Sequence, residues 1–525
     1  MNRRFYLDSI LMRYPLSNLL RNAYHHALRQ TGAYDESRRK FIKQAALVTA
    51  GGMLAPGLLT AQAKKKNIVI VGAGIAGLNA AYQLKKAGIS ATVYEAAPRS
   101  GGRMFTMKNE FGAGVTTDIG GEFVDTTHED VLSLANELGV SFYDLRTDKL
   151  DSHAYYFGNK FLEKDELTNA FKPFVKRIEQ DIKSLPEVLN YTTAASFRHL
   201  DEQTITGYLQ EIGISGWMYD LINVVMTREY GMEASEQSLI NFLVMFSEPS
   251  AENADYSLFG DEHEVLKIKG GSQNLADAVF AKVKQQVLFR HKLTAVKKDG
   301  EQYRLSFETS ANGETINVMA DYVVLAIPFS VLRKISFDVD MPAEKRKCID
   351  ELGYGNSCKF VMGVSSKPWR NEQKQGYTFN DLSFGCGWDS SHMQTKQQGS
   401  FTVFGGGDFA THVFDVDQKH LAVDFIKSLD DIYPGVAKAY TGRNIKYCWQ
   451  KNPFSQGGYT SLKAGQWSTL AGWEATPVGN IFFAGEHVSA DFQGYMNGAA
   501  KTGRLAAEAI VLQLKPGRLR KRMAS

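Results

Sequence analysis

Cysteine is scarce. The chain holds four in 525 residues: Cys348, Cys358, Cys386 and Cys448. No two stand as CxxC and their spacing matches no metal site, so no metal centre is expected. An oxidising compartment permits a disulfide, but the sequence does not pair them, and four small buried hydrophobes is the plainest expectation. Long apolar runs are missing too. The best candidate, Gln44 to Thr60, is broken by Gly51, Gly52 and Pro56, which argues against a retained membrane span. No apolar anchor follows Ile510, so a soluble mature protein with no stable membrane anchor is expected. Internal repeats and low-complexity blocks are absent. Charge of one sign is also lacking: the net charge is +3, with +6 on residues 1–63 and −3 on the rest. The basic balance belongs to that leader and gives no reason to expect nucleic acid.

What is present is an ordinary globular composition, 44% hydrophobic and 22% charged, on a chain too long for one simple core. Two interlocked domains are expected. Residues 1–63 read as an export leader with an N-terminal extension. Ser37-Arg38-Arg39-Lys40-Phe41-Ile42-Lys43 is a twin-arginine signature, and Ala61-Gln62-Ala63 is a small-x-small cleavage site. An ordinary secretory signal is the alternative. The twin-arginine machinery carries folded proteins, which suits a protein that takes up a cofactor before export. The mature chain then begins near Lys64, in a bacterial periplasm or outside the cell. Residues 1–36 have no reading of their own, and 515–525 form a basic tail.

The most informative stretch is NIVIVGAGIAGLNAAYQLKKAGISATVYEAAPRSGGR, residues 67–103. Ile68 to Val71 is a short apolar run that suits a buried parallel strand. Gly72, Gly74 and Gly77 follow at GxGxxG spacing, Ala76 lies between the last two, and the helix behind them ends at Gly88. Gly72 allows the tight turn, Gly74 the approach of a pyrophosphate, and Gly77 close packing of helix on strand. The helix N-terminus offers free N–H groups and a positive dipole end. Ala91 to Tyr94 form the next strand, and Glu95 stands at its end, where a carboxylate can accept from a ribose.

Further strands are expected near Thr117–Ile119, Leu266–Ile268, Val287–Phe289, Leu293–Val296, Tyr322–Leu325, from Cys358, and at Ile481–Ala484. Residues 160–250 are rich in helix formers and suggest a helical layer. The expected fold is therefore α/β, with a Rossmann-type nucleotide domain from 64–130, 265–330 and 440–514. An interleaved α+β substrate domain comes from 131–264 and 331–439, and the ligand sits between the two.

Together these residues resemble the flavin-containing amine oxidase family, which includes monoamine and polyamine oxidases. The likeness rests on Gly72, Gly74, Gly77, Glu95, Arg99 and Gly101-Gly102-Arg103, then Asp118-Ile119-Gly120-Gly121, Lys269-Gly270-Gly271 and Ala326-Ile327-Pro328. It closes on FFAGEHVSADFQGYMNGAAKTGRLAAEAI, residues 482–510. The second Gly-Gly-Arg and this closing stretch imply FAD. In that likeness Glu95 holds the adenosine ribose, Arg103 contacts the diphosphate, and Leu293 offers backbone to the adenine. Glu486 lies close to the flavin's ribityl and phosphate region, Gly485, Tyr495 and Met496 match the family's FAD-binding end, and Trp449 is an aromatic near the flavin. Lys359 is the lysine that reaches the flavin through a water and assists oxygen reduction. Tyr459 and Tyr495 flank the substrate amine, their faces attracting it. Gly458 stands where mammalian monoamine oxidases carry the cysteine bound to flavin, so FAD is expected to be non-covalent.

The resemblance implies oxidation of a CH–NH bond to an imine, hydrolysis to an aldehyde or ketone, and reduction of O2 to hydrogen peroxide. Glu122 and Asp125, just after the Gly120-Gly121 turn, favour a second cationic centre if they line the pocket. An L-amino acid oxidase on the same fold stays open, with Arg228 a candidate for the carboxylate. So does a dehydrogenase that passes electrons to a periplasmic carrier. A homodimer is an open expectation.

Overall fold

Ile68–Val71 is strand because consecutive apolar β-branched residues suit a position buried on both faces, and all four are buried. In the computed structural model, which describes residues 15–32, 66–151, 155–162, 164–247, 264–309 and 313–515, it is the middle strand of a five-stranded parallel sheet. The order is Val287–Phe289, Thr92–Glu95, Ile68–Val71, Tyr322–Leu325, Ile481–Phe483. Register sets Val71 beside both Tyr94 and Leu325, so these strands end together. That shared carboxyl edge is where open α/β sheets take ligands. Side chains alternate across the sheet. Ile68, Ile70 and Val93 pack under the helices Ile75–Lys86, Gln273–Val283 and Met496–Leu514. Val69, Val71 and Tyr94 face the other way, where the Tyr94 ring stacks on Phe307 at 4.3 Å.

A second, seven-stranded sheet carries the opposite wall of the site. Its order is Tyr440–Cys448, Cys358–Val364, Gly399–Gly405, Cys386–Asp389, Tyr377–Asn380, Tyr155–Phe157, Lys160–Phe161. In Cys358–Val364 every residue is buried, and the faces alternate. Cys358, Phe360 and Met362 pack with the helix Gln418–Ile432, while Lys359 points to the other side. Tyr440–Cys448 pairs with Cys358–Val364 in this sheet. The third nucleotide segment, drawn from residue 440, thus reaches the parallel sheet only at Ile481.

Two expectations need correction. The cysteines are not four free thiols: Cys358 and Cys448 stand opposite each other on neighbouring antiparallel strands, with Cα atoms 4.1 Å apart, and form a disulfide. Cys348 and Cys386 are the buried free thiols, and burial pushes the Cys386 thiol up to about 12. The second concerns residues 1–63. The helix Pro15–Gln30 packs into the helical layer against Lys164–Phe171, Val175–Ser184, Gly216–Tyr230 and Leu239–Phe246. Leu20, Ala23, Tyr24, Ala27 and Leu28 are fully buried. The Tyr24 hydroxyl donates to Glu179 Oε2 at 2.9 Å, and its ring lies 4.7 Å from that of Phe246. A stretch within residues 1–36, for which the sequence offers no reading, is a packed element of the fold. The twin-arginine motif, the cleavage site and Lys64 lie outside the described residues, as does the tail beyond Lys515. Among the described residues no helix is long and apolar enough to cross a membrane.

Candidate active site

One cavity of about 670 Å³ runs from the Gly-rich turn to the face of the seven-stranded sheet. Its first half is made mostly of backbone. Gly72 sits at φ +99°, and a Cβ there would lie 2.6 Å from the Ala326 carbonyl oxygen. A Cβ on Gly77 would lie 1.9 Å from the Gly72 oxygen, so this helix meets its strand only through glycine. A Cβ on Gly74 would meet nothing: the open space above it, at the uncapped start of Ile75–Lys86, is room for a pyrophosphate. Ala76 lies in that first turn and lines the cavity.

Glu95 is buried at the strand end, where its carboxylate accepts from the backbone N–H of Ala73 at 2.6 Å and of Ala97 at 2.7 Å. Burial pushes its pKa up, against those two donors. Arg99 lines the cavity but works on the protein: it donates to the carbonyls of Ser100, Gly102 and Met104 and lies over the Phe105 ring, holding the second glycine turn. Gly102 packs against Gly74, where its Cβ would come within 3.2 Å of the Gly74 Cα. Leu293 lines the same end from the strand His291–Asp299.

Midway, Arg103 donates to Glu486 Oε1 at 2.8 Å and to the Gly458 carbonyl at 2.6 Å. Glu486 Oε2 accepts from the Gly494 N–H at 2.8 Å. The pair ties the first turn to the closing stretch, with Gly485, Tyr495 and Met496 also on the wall. Gly120 and Gly121 are closely approached, by the Arg103 carbonyl oxygen and the Met496 side chain. Trp449 lines the wall and donates from Nε1 to the Ile119 carbonyl at 3.0 Å.

The far half is made of side chains. Lys359 is buried and its Nζ donates to Asp118 O at 2.9 Å, Gly120 O at 3.0 Å and Glu122 Oε2 at 2.8 Å. An ammonium has three donors, so all are engaged with protein. Lys359 is thus held in the wall by the Glu122 carboxylate and two backbone carbonyls. Tyr459 and Tyr495 line this part, and the Tyr459 hydroxyl donates to the Arg228 carbonyl at 2.9 Å.

Glu122 and Asp125 are placed otherwise than expected. Glu122 is on the wall, but it accepts from Lys267 at 2.7 Å as well as from Lys359. Burial raises its pKa, yet the two lysines outweigh burial and hold it below the ordinary carboxylate range. Asp125 lies behind the cavity, accepting from the Glu264 N–H at 2.7 Å. Neither is available to a substrate. Arg228 is no better placed to hold a carboxylate: it is buried outside the lining, its guanidinium 4.4 Å from the Phe409 ring centre and donating to Phe384 O.

Sequence reasoning missed Glu264, Lys267, Trp388 and Phe404, and it placed Phe123 beside the turn without giving it a role. The Trp388 ring lies 5.5 Å from Phe123 and 5.6 Å from Phe404, with Lys359 Nζ 5.2 Å away. Only Lys267 carried a signal, as the one charged residue in the apolar strand Leu266–Ile268.

A cavity built this way, with a glycine cradle, a ribose-height carboxylate and a paired arginine beside a second glycine turn, suits a flavin dinucleotide. No cysteine lines it among the described residues, and Gly458 has no side chain to offer, so nothing at that position makes a thioether to the flavin. The model of the family described as flavin containing amine oxidoreductase matches residues 75–511, and the chain belongs to that family. Its cofactor is FAD and its reaction the flavin-dependent oxidation of an amine. Among curated relatives, an L-amino-acid oxidase of Sistrurus catenatus edwardsii is 27% identical over 86% of this chain and 88% of that protein. Bordonein-L of Crotalus durissus terrificus is 25% identical over the same shares. Among solved structures, cyclohexylamine oxidase from Brevibacterium oxydans IH-35A superposes with a TM-score of 0.75 at 21% identity, covering 86% of this chain and all of that one. Putrescine oxidase bound to putrescine gives 0.71 at 22% identity, covering 85% and 99%. These structures share the fold.

Proposed function

We propose that the protein is an amine oxidase whose substrate lacks a carboxylate at the reacting carbon and whose electrons pass to O2, giving hydrogen peroxide. The observation that carries this is the charge of the far half of the cavity. Its only lining cation there among the described residues is Lys359, whose donors are all engaged with protein. An amino acid carboxylate brought into that dry space would find no free partner, and an uncompensated buried charge is costly.

Bound FAD supplies the acceptor for the hydride of the amine's α-carbon. The chain supplies the rest. Tyr459 and Tyr495 present aromatic faces that attract and align the amine. Phe123, Trp388 and Phe404 close the space and exclude water. Lys359, held by Glu122 and two carbonyls, would supply a pre-positioned cationic side chain for the negative charge that oxygen gains, which needs no reorganisation at that moment.

The disulfide Cys358–Cys448 and the twin-arginine motif both fit an oxidising compartment, and we infer export on that ground. Because Pro15–Gln30 is packed in the core, the exported form keeps it. Intact-mass measurement of enzyme from the periplasmic fraction tests this; a chain starting at Lys64 contradicts retention, and recovery only from the cytoplasm contradicts export.

The functional test is product analysis under air. One aldehyde or ketone per peroxide from simple amines supports the reading. Turnover of L-amino acids alone, giving 2-oxo acids, moves the assignment to the activity named for the curated relatives, and turnover without peroxide moves it to a dehydrogenase.

A further inference from the structure

We propose that Glu264 is a specificity residue: it takes the positive charge at the far end of a substrate that carries two cationic centres. This rests on the amine-oxidation reading and adds a substrate class to it. Glu264 lines the cavity together with Phe123, Trp388, Phe404 and Tyr459. It is 2% exposed, yet its Oε2 has no hydrogen-bond partner among the described residues. Buried polar atoms in folded proteins are almost always paired, so an orphan on the wall of a binding cavity asks for a ligand.

The neighbouring acids are accounted for. Glu122 meets Lys267 and Lys359; Asp118 accepts from Ser272 N–H at 2.9 Å and from Thr106; Asp125 accepts from the Glu264 N–H. Of the two acids on the wall of the amine half, Glu122 is paired, whereas Glu264 Oε2 meets no donor among the described residues. Its backbone is held in place for this: φ is +54°, a left-handed conformation rare for glutamate, and the Asp125 carboxylate pins its N–H at 2.7 Å. Strain of that kind persists where surroundings over-determine it, commonly at ligand sites.

Burial, and the Asp125, Glu229 and Glu122 carboxylates around it, push the Glu264 pKa well up, with Lys359 opposing them weakly. That shift favours the protonated acid when no cation stands beside it. An entering ammonium displaces that proton to solvent and takes its place as an ion pair, with the rings of Trp388, Phe404 and Phe123 adding cation–π attraction. A diamine and a basic amino acid share this chemistry at their far end. The near-end argument above favours the diamine, and the test separates them.

The experiment compares kcat/KM of the holoenzyme for 1,4-diaminobutane against n-pentylamine, and for L-lysine against L-norleucine, in wild type and Glu264→Gln. A hydrogen-bonded charge pair of this kind corresponds to roughly 10–100-fold in discrimination. Wild type should prefer the diamine by about that factor, and Glu264→Gln should lose the preference mainly through KM. A preference for L-lysine over L-norleucine that vanishes in the variant supports the cation site and points to a basic amino acid. Equal diamine-to-monoamine ratios in wild type overturn the proposal whether or not the variant folds, as does an unchanged ratio in flavin-replete Glu264→Gln. If no amine or amino acid reduces the enzyme, the oxidase reading itself fails, an outcome distinct from oxidation of monoamine and diamine alike.

Discussion

The two halves of the cavity are built by different means. The nucleotide half is local and made of backbone: Gly72, Gly74, Gly77, Glu95 and Gly102 fall within 31 residues, and the glycines work by having no side chain. The amine half is assembled from afar and made of side chains. Glu122, Glu264, Lys267, Lys359, Trp388, Phe404, Tyr459 and Tyr495 come from segments hundreds of residues apart. Buried ion pairs and sheet register hold them. The first kind of site is read along the chain; the second exists only once distant strands have paired.

Removing the helical backing of the amine half should have the largest effect. Deleting residues 1–32 exposes the surfaces that bury Leu20, Tyr24 and Leu28, at roughly 1.5–3 kcal/mol per large side chain. We expect a drop in Tm of many degrees by calorimetry; an unchanged Tm would show the helix to be ornamental and the leader disposable. Glu122→Gln comes next. It leaves Lys267 and Lys359 buried without their counter-charge, costing about 3–5 kcal/mol. It also tests the sign of a pH effect. The folded-state pKa of Glu122 lies below its unfolded value. Its contribution is therefore present above the ordinary glutamate range, about pH 4.5, and is lost as pH falls through the folded value. The variant should show a shallower acid limb of stability than wild type.

Replacing both Cys358 and Cys448 by serine should cost about 2–4 kcal/mol. Lys359 and Trp449 each follow one of these cysteines, so the change should slow amine turnover more than it weakens FAD. Gly77→Ala attacks the other half. Its new Cβ collides with backbone, which cannot step aside, at roughly 1–3 kcal/mol. The purified variant should be folded but colourless; full flavin occupancy would contradict the cradle. Lys359→Met should act most sharply on function: Glu122 keeps Lys267 as its partner, FAD stays bound, and reoxidation by O2 slows by roughly 100-fold in stopped flow.

What the chain revealed in advance follows the same division. The Gly-rich turn, its strand and helix, and the acid Glu95 are set by short-range sterics, so they are visible in 37 residues. Lys359, Tyr459 and Tyr495 were legible through the family pattern alone, since nothing nearby distinguishes them from other lysines and tyrosines. Glu122 and Asp125 were right in charge and wrong in role, because the lysine that consumes Glu122 lies 145 positions away. Glu264 gave no signal: a glutamate at the edge of a strand reads as solvated until the fold buries it. The cysteine pairing depended on antiparallel register across 90 residues, which composition does not carry. Pro15–Gln30 was obscured by the export motif that follows it.

The most direct test of the central claim is anaerobic titration of the purified holoenzyme, following flavin absorbance, with monoamines, diamines and L-amino acids in turn. The account predicts bleaching by amines, diamines most efficiently, and return of colour with peroxide on admitting air. Bleaching by L-amino acids alone, with amines inert, would contradict it and require a carboxylate partner in the half of the cavity where we find none free.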